Sequence, residues 1–174
     1  IPFCKMSGSG NDFIIIDNRQ GAVAHGEMAV FAQRVCQRRL SVGADGIFFL
    51  ETSDHVDFKW HFFNSDGSRA EMCGNGARCA ARFALLNNIA PARMAFETDA
   101  GIIHAHVNGD AVRIRMTEPE DVISRSDLSV DGQVLEYGFV NTGVPHVVME
   151  VSDINTVDVV GTGREIRNHE RFAP

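Results

Sequence analysis

The chain has 174 residues, 44% of them hydrophobic and only five of them proline, enough for one packed domain and part of a second, and not a disordered composition. A formal net charge of −7 argues against nucleic acid and against an anionic membrane surface, since both are bound largely through cations. No apolar run approaches the roughly 20 residues that span a bilayer, and Ile1–Met6 lacks the apolar core of a secretion signal.

The chain opens without an initiator methionine, so trimming is expected. Its four cysteines, Cys4, Cys36, Cys73 and Cys79, read as free thiols in a reducing cytoplasm. The first predicted strand is Phe13–Asp17, after a glycine-rich turn, Ser7–Asp12. An amphipathic helix over about Glu27 to Arg39 follows, with Met28, Phe31, Ala32 and Val35 on one apolar face. The loop Ser41–Gly46 leads into a buried strand, Ile47–Leu50. Asp57–Asn64 then alternates, with Phe58, Trp60 and Phe62 on one side.

Next comes Asn64-Ser65-Asp66-Gly67-Ser68 running to Met72-Cys73-Gly74-Asn75-Gly76-Ala77-Arg78-Cys79. A helix is predicted from about Asn75 to Leu86, its Ala77, Ala80, Phe83 and Ala84 stripe and small residues all round suiting a helix enclosed by other structure. Asn87-Asn88 and Pro91 end it. Strands follow over Met94–Thr98, Ile102–Val107 and Val112–Met116, the last two joined by the hairpin signal Asn108-Gly109-Asp110. Beyond Glu118-Pro119 a looser acidic segment passes into strands near Glu136–Val140 and His146–Val151, and no closing element is expected before Pro174. The predicted boundaries are a first domain over 1–117 and the start of a second over 118–174.

Cys73 stands where a helix begins, facing unpaired backbone N–H groups and the positive end of the helix dipole, both of which favour thiolate. Gly74, Asn75 and Gly76 expose amides suited to an anion such as a carboxylate. Cys79 lies about 240° around the helix at 3.6 residues per turn, so a Cys–Cys metal pair in this helix is not expected. Cys4, Cys36 and Cys79 read as core. His104 and His106 alternate on one strand and read as solvent-facing, because no third ligand stands at a metal-site spacing. His146 follows a rigid turn, Asn141-Thr142-Gly143-Val144-Pro145, that presents its imidazole at a strand start. The turn at Gly8–Gly10 matches neither a phosphate loop nor a dinucleotide fingerprint; its interest is Asn11. A nucleophilic hydrolase would pair Cys73 with a histidine as base.

Lys5-Met6-Ser7-Gly8-Ser9-Gly10-Asn11-Asp12-Phe13 resembles the opening of diaminopimelate epimerases. Phe63–Ser68 running into Met72–Arg78 is similar to their first catalytic segment, and Asn141–His146 and Arg167–Phe172 resemble later landmarks in the right order. The related proline racemases carry histidine where Asn75 stands. The resemblance implies an α/β (α+β) fold of two similar halves, each a central helix wrapped by a mixed, barrel-like sheet, with the active site between them and the second half only partly present here.

It implies a cofactor-independent isomerase, using neither metal nor pyridoxal, that interconverts LL- and meso-diaminopimelate in the cytoplasm for lysine and peptidoglycan synthesis, usually as a homodimer. Inversion at an α-carbon needs a base on each face, in this family a thiolate and a thiol. Amides aimed at the α-carboxylate stabilise the carbanion, each well-placed donor contributing roughly 3–4 kcal/mol by analogy with oxyanion holes. Cys73 corresponds to one acid/base thiol, Gly74, Asn75, Asn11 and Asn64 to substrate-binding residues, and His146 to a residue that tunes the thiols. Where the family often has glutamine and asparagine in contact with substrate, Gly46 and Val144 stand here, leaving backbone groups for those roles. The second cysteine and a glutamate–arginine pair are expected beyond Pro174, which makes the chain an N-terminal part, inactive alone. The alternatives are a proline or hydroxyproline epimerase of the same superfamily and a non-catalytic thiol-bearing binding module.

Overall fold

The computed structural model describes residues 1–116, 118–130 and 132–172, which fall into two compact units, Ile1–Thr117 and Glu118–Pro174. The first holds a seven-stranded mixed sheet whose spatial order follows the chain: β1 (Cys4–Gly8), β2 (Asn11–Asp17), β3 (Gly46–Glu51), β4 (Phe58–Asn64), β5 (Arg93–Thr98), β6 (Gly101–Asn108) and β7 (Ala111–Arg115). Among the described residues only β2/β3 and β4/β5 pair in parallel. Parallel neighbours need a crossover, and each pair has one: α1 (Met28–Val35) for the first and α2 (Gly74–Leu86) for the second.

The two helices cover opposite faces. On one, Met28 and Ala32 of α1 pack with Ile14, Ile16, Ile47, Phe49 and Phe63. On the other, Ala77, Ala80 and Ala84 of α2 pack with Phe13, Ile15, Phe48, Leu50, Trp60 and Phe62. Successive strand residues point to opposite faces, so a strand covered on both sides reads as an unbroken apolar run. That is why Phe13–Ile16 and Ile47–Leu50 contain no polar residue.

β1 and β7 are the two outer strands, yet both touch α2. The sheet therefore curls around this helix, whose small buried residues (Gly76, Ala77, Ala80, Ala81, Ala84) let the strands approach closely. Cross-strand rings line the curl: Phe48 stacks on Phe62 with centroids 4.3 Å apart, and Phe58 on Phe96 at 4.8 Å. Each such pair contributes roughly 0.5–1.5 kcal/mol beyond its burial.

Two predicted features of this unit are corrected. Ser7–Asp12 is not one long turn; Cys4–Gly8 is a strand, and only Ser9 and Gly10 turn, with φ of 52° and 91°, the left-handed pair of a two-residue hairpin. α1 stops at Val35 instead of reaching Arg39. The amide N–H groups of Gly43 and Ala44 return to the carbonyls of Val35 and Cys36 at 3.0 and 3.1 Å, closing the helix end just after the last residue of its apolar face. The motif helix and the hairpin after Asn108 form as expected, and His104 and His106 are exposed on β6.

The second unit has an antiparallel sheet of β8 (Glu120–Val130), β9 (Gln133–Asn141) and β10 (Pro145–Val148), followed by α3 (Val159–Arg167). Leu128, Tyr137 and Ile166 are its buried core, with Phe172 packed on Tyr137 and Phe139. The sequence shows β8 only as a loose acidic segment, because two register shifts break its alternation and most of it is exposed. It also hides α3, which carries Gly161 and Gly163 and is nucleated by the Asp158 carboxylate accepting from the Gly161 N–H at 2.9 Å. Helix α3 is not among the predicted elements.

Candidate active site

β4 leaves the sheet at Asn64 and turns at once. The Asn64 amide donates to the Ser68 carbonyl at 2.8 Å, its side-chain amide donates to Ser68 Oγ at 3.0 Å, and Asp66 Oδ1 accepts from the Ser68 hydroxyl and backbone N–H. Arg69 bridges back to Phe63, and buried Met72 anchors the end of the excursion. Cys73 follows, half-buried, as the N-cap of α2, with φ −148° and ψ 110°. Its carbonyl accepts the first helical bond, from Ala77 N–H at 2.8 Å. Its Sγ accepts from Gly76 N–H at 3.4 Å, which places a backbone dipole against the sulfur.

Gly76 has to be glycine for a packing reason. A methyl group there would lie 2.2 Å from Phe48 Cζ, so the first turn of α2 rests directly on a core ring. Gly8, at the end of β1, approaches the same turn: a methyl group on it would lie 2.8 Å from the Asn75 carbonyl oxygen. Gly74 meets only ordinary contacts, the nearest at 3.6 Å.

Register gathers the other candidates at this end of the sheet. Asn11 begins β2, Gly46 begins the parallel β3, and Asn64 ends β4 directly opposite Gly46. Asn75 Nδ2 donates to Asn11 Oδ1 at 2.8 Å, while Asn11 Nδ2 donates to Asp45 Oδ2 at 3.2 Å. The second bond fixes the amide so that its oxygen faces α2. Asp45 Oδ2 also accepts from Asp12 N–H at 3.0 Å, and Arg38 spans Asp12 and Asp45. Lys5 completes the group, 3.0 Å from Asp12. The Arg38 guanidinium, helped by Lys5 against some burial, holds the Asp12 carboxyl well below the usual carboxylate range.

Gly46 offers no side chain and could take none: a methyl group there would lie 2.6 Å from the Phe62 ring and 2.8 Å from the Phe63 carbonyl oxygen. Val144 and His146 belong to the second unit. There His146 Nδ1 donates to the Val144 carbonyl at 2.7 Å, and the Thr142 N–H donates to the same carbonyl at 3.2 Å. The first unit thus brings together Cys73, Gly74, Asn75, Asn11, Gly46 and Asn64, and the second holds Val144 and His146.

The remaining cysteines divide. Cys36 and Cys79 are buried, and burial pushes each thiol up to about 11. Cys4 is half-buried against the α2-side core, less enclosed than a core reading implies. Sequence reasoning missed Arg38, Asp12 and Asp45, which lie on three separate segments and share no local motif. It missed equally a cluster of His25, Glu51 and His61 on the α1 side of the sheet.

A family model described as diaminopimelate epimerase matches residues 3–122. A protein named diaminopimelate epimerase from Aquifex aeolicus (strain VF5) is 46% identical over 182 residues, covering 99% of this chain and 65% of that protein. One of the same name from Hydrogenobaculum sp. (strain Y04AAS1) is 44% identical, covering 98% and 65%. The chain therefore spans about 65% of the length of the curated relatives it matches. The crystal structure of a probable proline racemase from Agrobacterium radiobacter K84 superposes with a TM-score of 0.66 at 14% identity, over 89% of this chain and 53% of that one, a likeness of fold.

Proposed function

The chain belongs to the diaminopimelate epimerase family, and from that premise we propose that it carries one face of an epimerase site that interconverts LL- and meso-diaminopimelate, with Cys73 as one of two acid/base thiols. The observation that carries this reading is the placement of Cys73: a half-buried sulfur at the N-cap of an enclosed helix, accepting from Gly76 N–H at 3.4 Å. In one direction the Cys73 thiolate takes the α-proton and the electron pair of the broken C–H bond stays on carbon. A thiol on the opposite face then delivers a proton to that carbon. In the other direction the roles exchange.

The carbanion needs its α-carboxylate held by fixed donors, and the first-turn amides of α2 at Gly74 and Asn75 are supplied for that. Asn11, oriented by Asp45, and Asn64, held by Ser68, bind the polar ends of the substrate. Gly46 contributes backbone groups, and the family motif gives Val144 a backbone contact and His146 a thiol-tuning role. Residues 118–174 belong to the second half, and a second thiol serves the opposite face. The whole enzyme works without cofactor as a cytoplasmic homodimer, on a small-molecule substrate. Among the described residues no helix is long and apolar enough to cross a membrane.

The test is a substrate panel on the whole natural protein in deuterated water. LL-diaminopimelate should yield the meso isomer with deuterium at the inverted α-carbon, and proline and hydroxyproline should stay unexchanged. Exchange confined to proline or hydroxyproline would overturn the reading.

A further inference from the structure

On the face of the sheet away from Cys73, three side chains from three segments converge. Glu51 ends β3. His61 lies on β4, paired with Phe49, and therefore on the same face as Glu51, two residues further along β3. Phe49 and Phe63 belong to the α1-side core, whereas Cys73 packs against the α2-side core. The third side chain, His25, stands in the single 3₁₀ turn His25–Glu27 that precedes α1.

His25 Nε2 lies 2.9 and 3.0 Å from the two Glu51 oxygens, and His61 Nε2 lies 3.2 Å from Glu51 Oε2. One ligand atom from each residue falls within 4.8 Å of the others. Tetrahedral ligands about 2.0–2.1 Å from zinc stand roughly 3.4 Å from one another, so small side-chain adjustments bring all three atoms onto one ion. We propose that His25, Glu51 and His61 bind a divalent transition-metal ion of the zinc type, with water in the remaining position.

The surroundings have the anatomy of a metal site. Behind Glu51 stands Asn18, 2% exposed, whose Nδ2 donates to Glu51 Oε1 at 2.8 Å and to the Val23 carbonyl at 3.0 Å, and whose Oδ1 accepts from Val23 N–H at 2.8 Å. A buried amide so fixed orients the carboxylate as outer-shell partners orient metal ligands. Burial holds the His61 imidazole below its ordinary range, towards the neutral form that binds metals. Burial works against the Glu51 carboxylate, but hydrogen bonds from Asn18 and His25 outweigh it and keep the group ionised. The His25 side chain is 64% exposed, which gives the ion a way in.

Two cations flank the cluster, and neither blocks it. Lys59 Nζ is 3.8 Å from Glu51 Oε2, on a side chain 37% exposed and free to turn into solvent. Arg69 reaches His61 Nδ1 only at 3.4 Å and is already paired with Asp99 at 2.6 and 2.7 Å. Binding through His61 Nε2 moves the imidazole proton to Nδ1, and Arg69 stays with Asp99. The ion would pin the segment before α1 to the β3–β4 pair, a stabilising role that does not depend on epimerase chemistry.

The test is calorimetric titration of the reduced, chelator-stripped chain with zinc chloride, with thermal unfolding read in parallel. One zinc should bind per chain with micromolar or tighter affinity and raise Tm. His25→Ala, an exposed position whose loss leaves the fold intact, and Glu51→Gln should each weaken binding at least tenfold. Cobalt(II) in place of zinc should show ligand-field bands without thiolate charge transfer. Absence of stoichiometric binding, unchanged affinity in His25→Ala, or a thiolate charge-transfer band placing the ion on cysteine would each overturn the proposal.

Discussion

Asn75 Nδ2 donates to Asn11 Oδ1 at 2.8 Å across 64 residues of sequence, so the first turn of α2 is tied to the start of β2. The bond is part-buried, and Asn11 is itself held by Asp45. A double-mutant cycle of Asn11→Ala and Asn75→Ala, read by urea unfolding of this chain, should show coupling of about 1 kcal/mol. Strictly additive losses would show that the two amides do not act as a pair.

Gly76→Ala should destabilise the chain. Alanine gains roughly 0.5–1 kcal/mol over glycine inside a helix, but its methyl would overlap Phe48, a ring held at 4.3 Å on Phe62 and unable to retreat. Overpacking of this kind costs about 1–3 kcal/mol, so the clash wins and Tm falls. Gly26→Ala, where a methyl meets nothing within 4 Å, should change stability by less than about 0.5 kcal/mol. Equal effects at the two positions would contradict the packing account.

The Asp12 carboxyl is held below its ordinary range, chiefly by Arg38. A depressed folded-state value means stability that is present above the unfolded carboxylate range and is lost as pH falls from that range through the lower folded-state value. Wild-type stability should therefore drop steeply below about pH 4, the unfolded range for Asp, and Arg38→Gln should flatten that drop while costing stability at neutral pH. Parallel pH profiles for the two proteins, from chemical unfolding, would contradict the assignment.

Thiol labelling should separate the cysteines. Cys36 and Cys79 sit near 11 through burial, against 9.0 for an ordinary thiol, so at pH 8 each has about a hundredfold less thiolate than a free thiol. Iodoacetamide followed by peptide mass spectrometry should modify Cys73 well before Cys36 or Cys79. Faster labelling of either buried thiol would contradict the burial pattern.

Legibility in the sequence followed the locality of the signal. The strands at Phe13–Asp17 and Ile47–Leu50 and the helix after Cys73 announce themselves because burial on all sides leaves unbroken apolar or small-residue runs. β8 and α3 do not, because register shifts in one and glycines in the other break the period that would reveal them. The same holds for the site. Cys73, Gly74 and Asn75 stand in one contiguous motif and are readable as such, whereas the Arg38–Asp12–Asp45 support and the His25–Glu51–His61 cluster are assembled from separate segments that share no local motif. Gly46 was legible as a departure from the family, and only the approach of Phe62 explains why nothing larger fits.

The most direct measurement is solvent deuterium exchange at the α-carbon of diaminopimelate by the whole natural protein and its Cys73→Ser variant, followed by NMR. With a base on each face and Cys73 serving one of them, the variant should lose epimerisation by at least a thousandfold and retain, at most, exchange with one epimer without inversion. A Cys73→Ser protein that still converts the LL to the meso isomer at near wild-type rate would contradict the account.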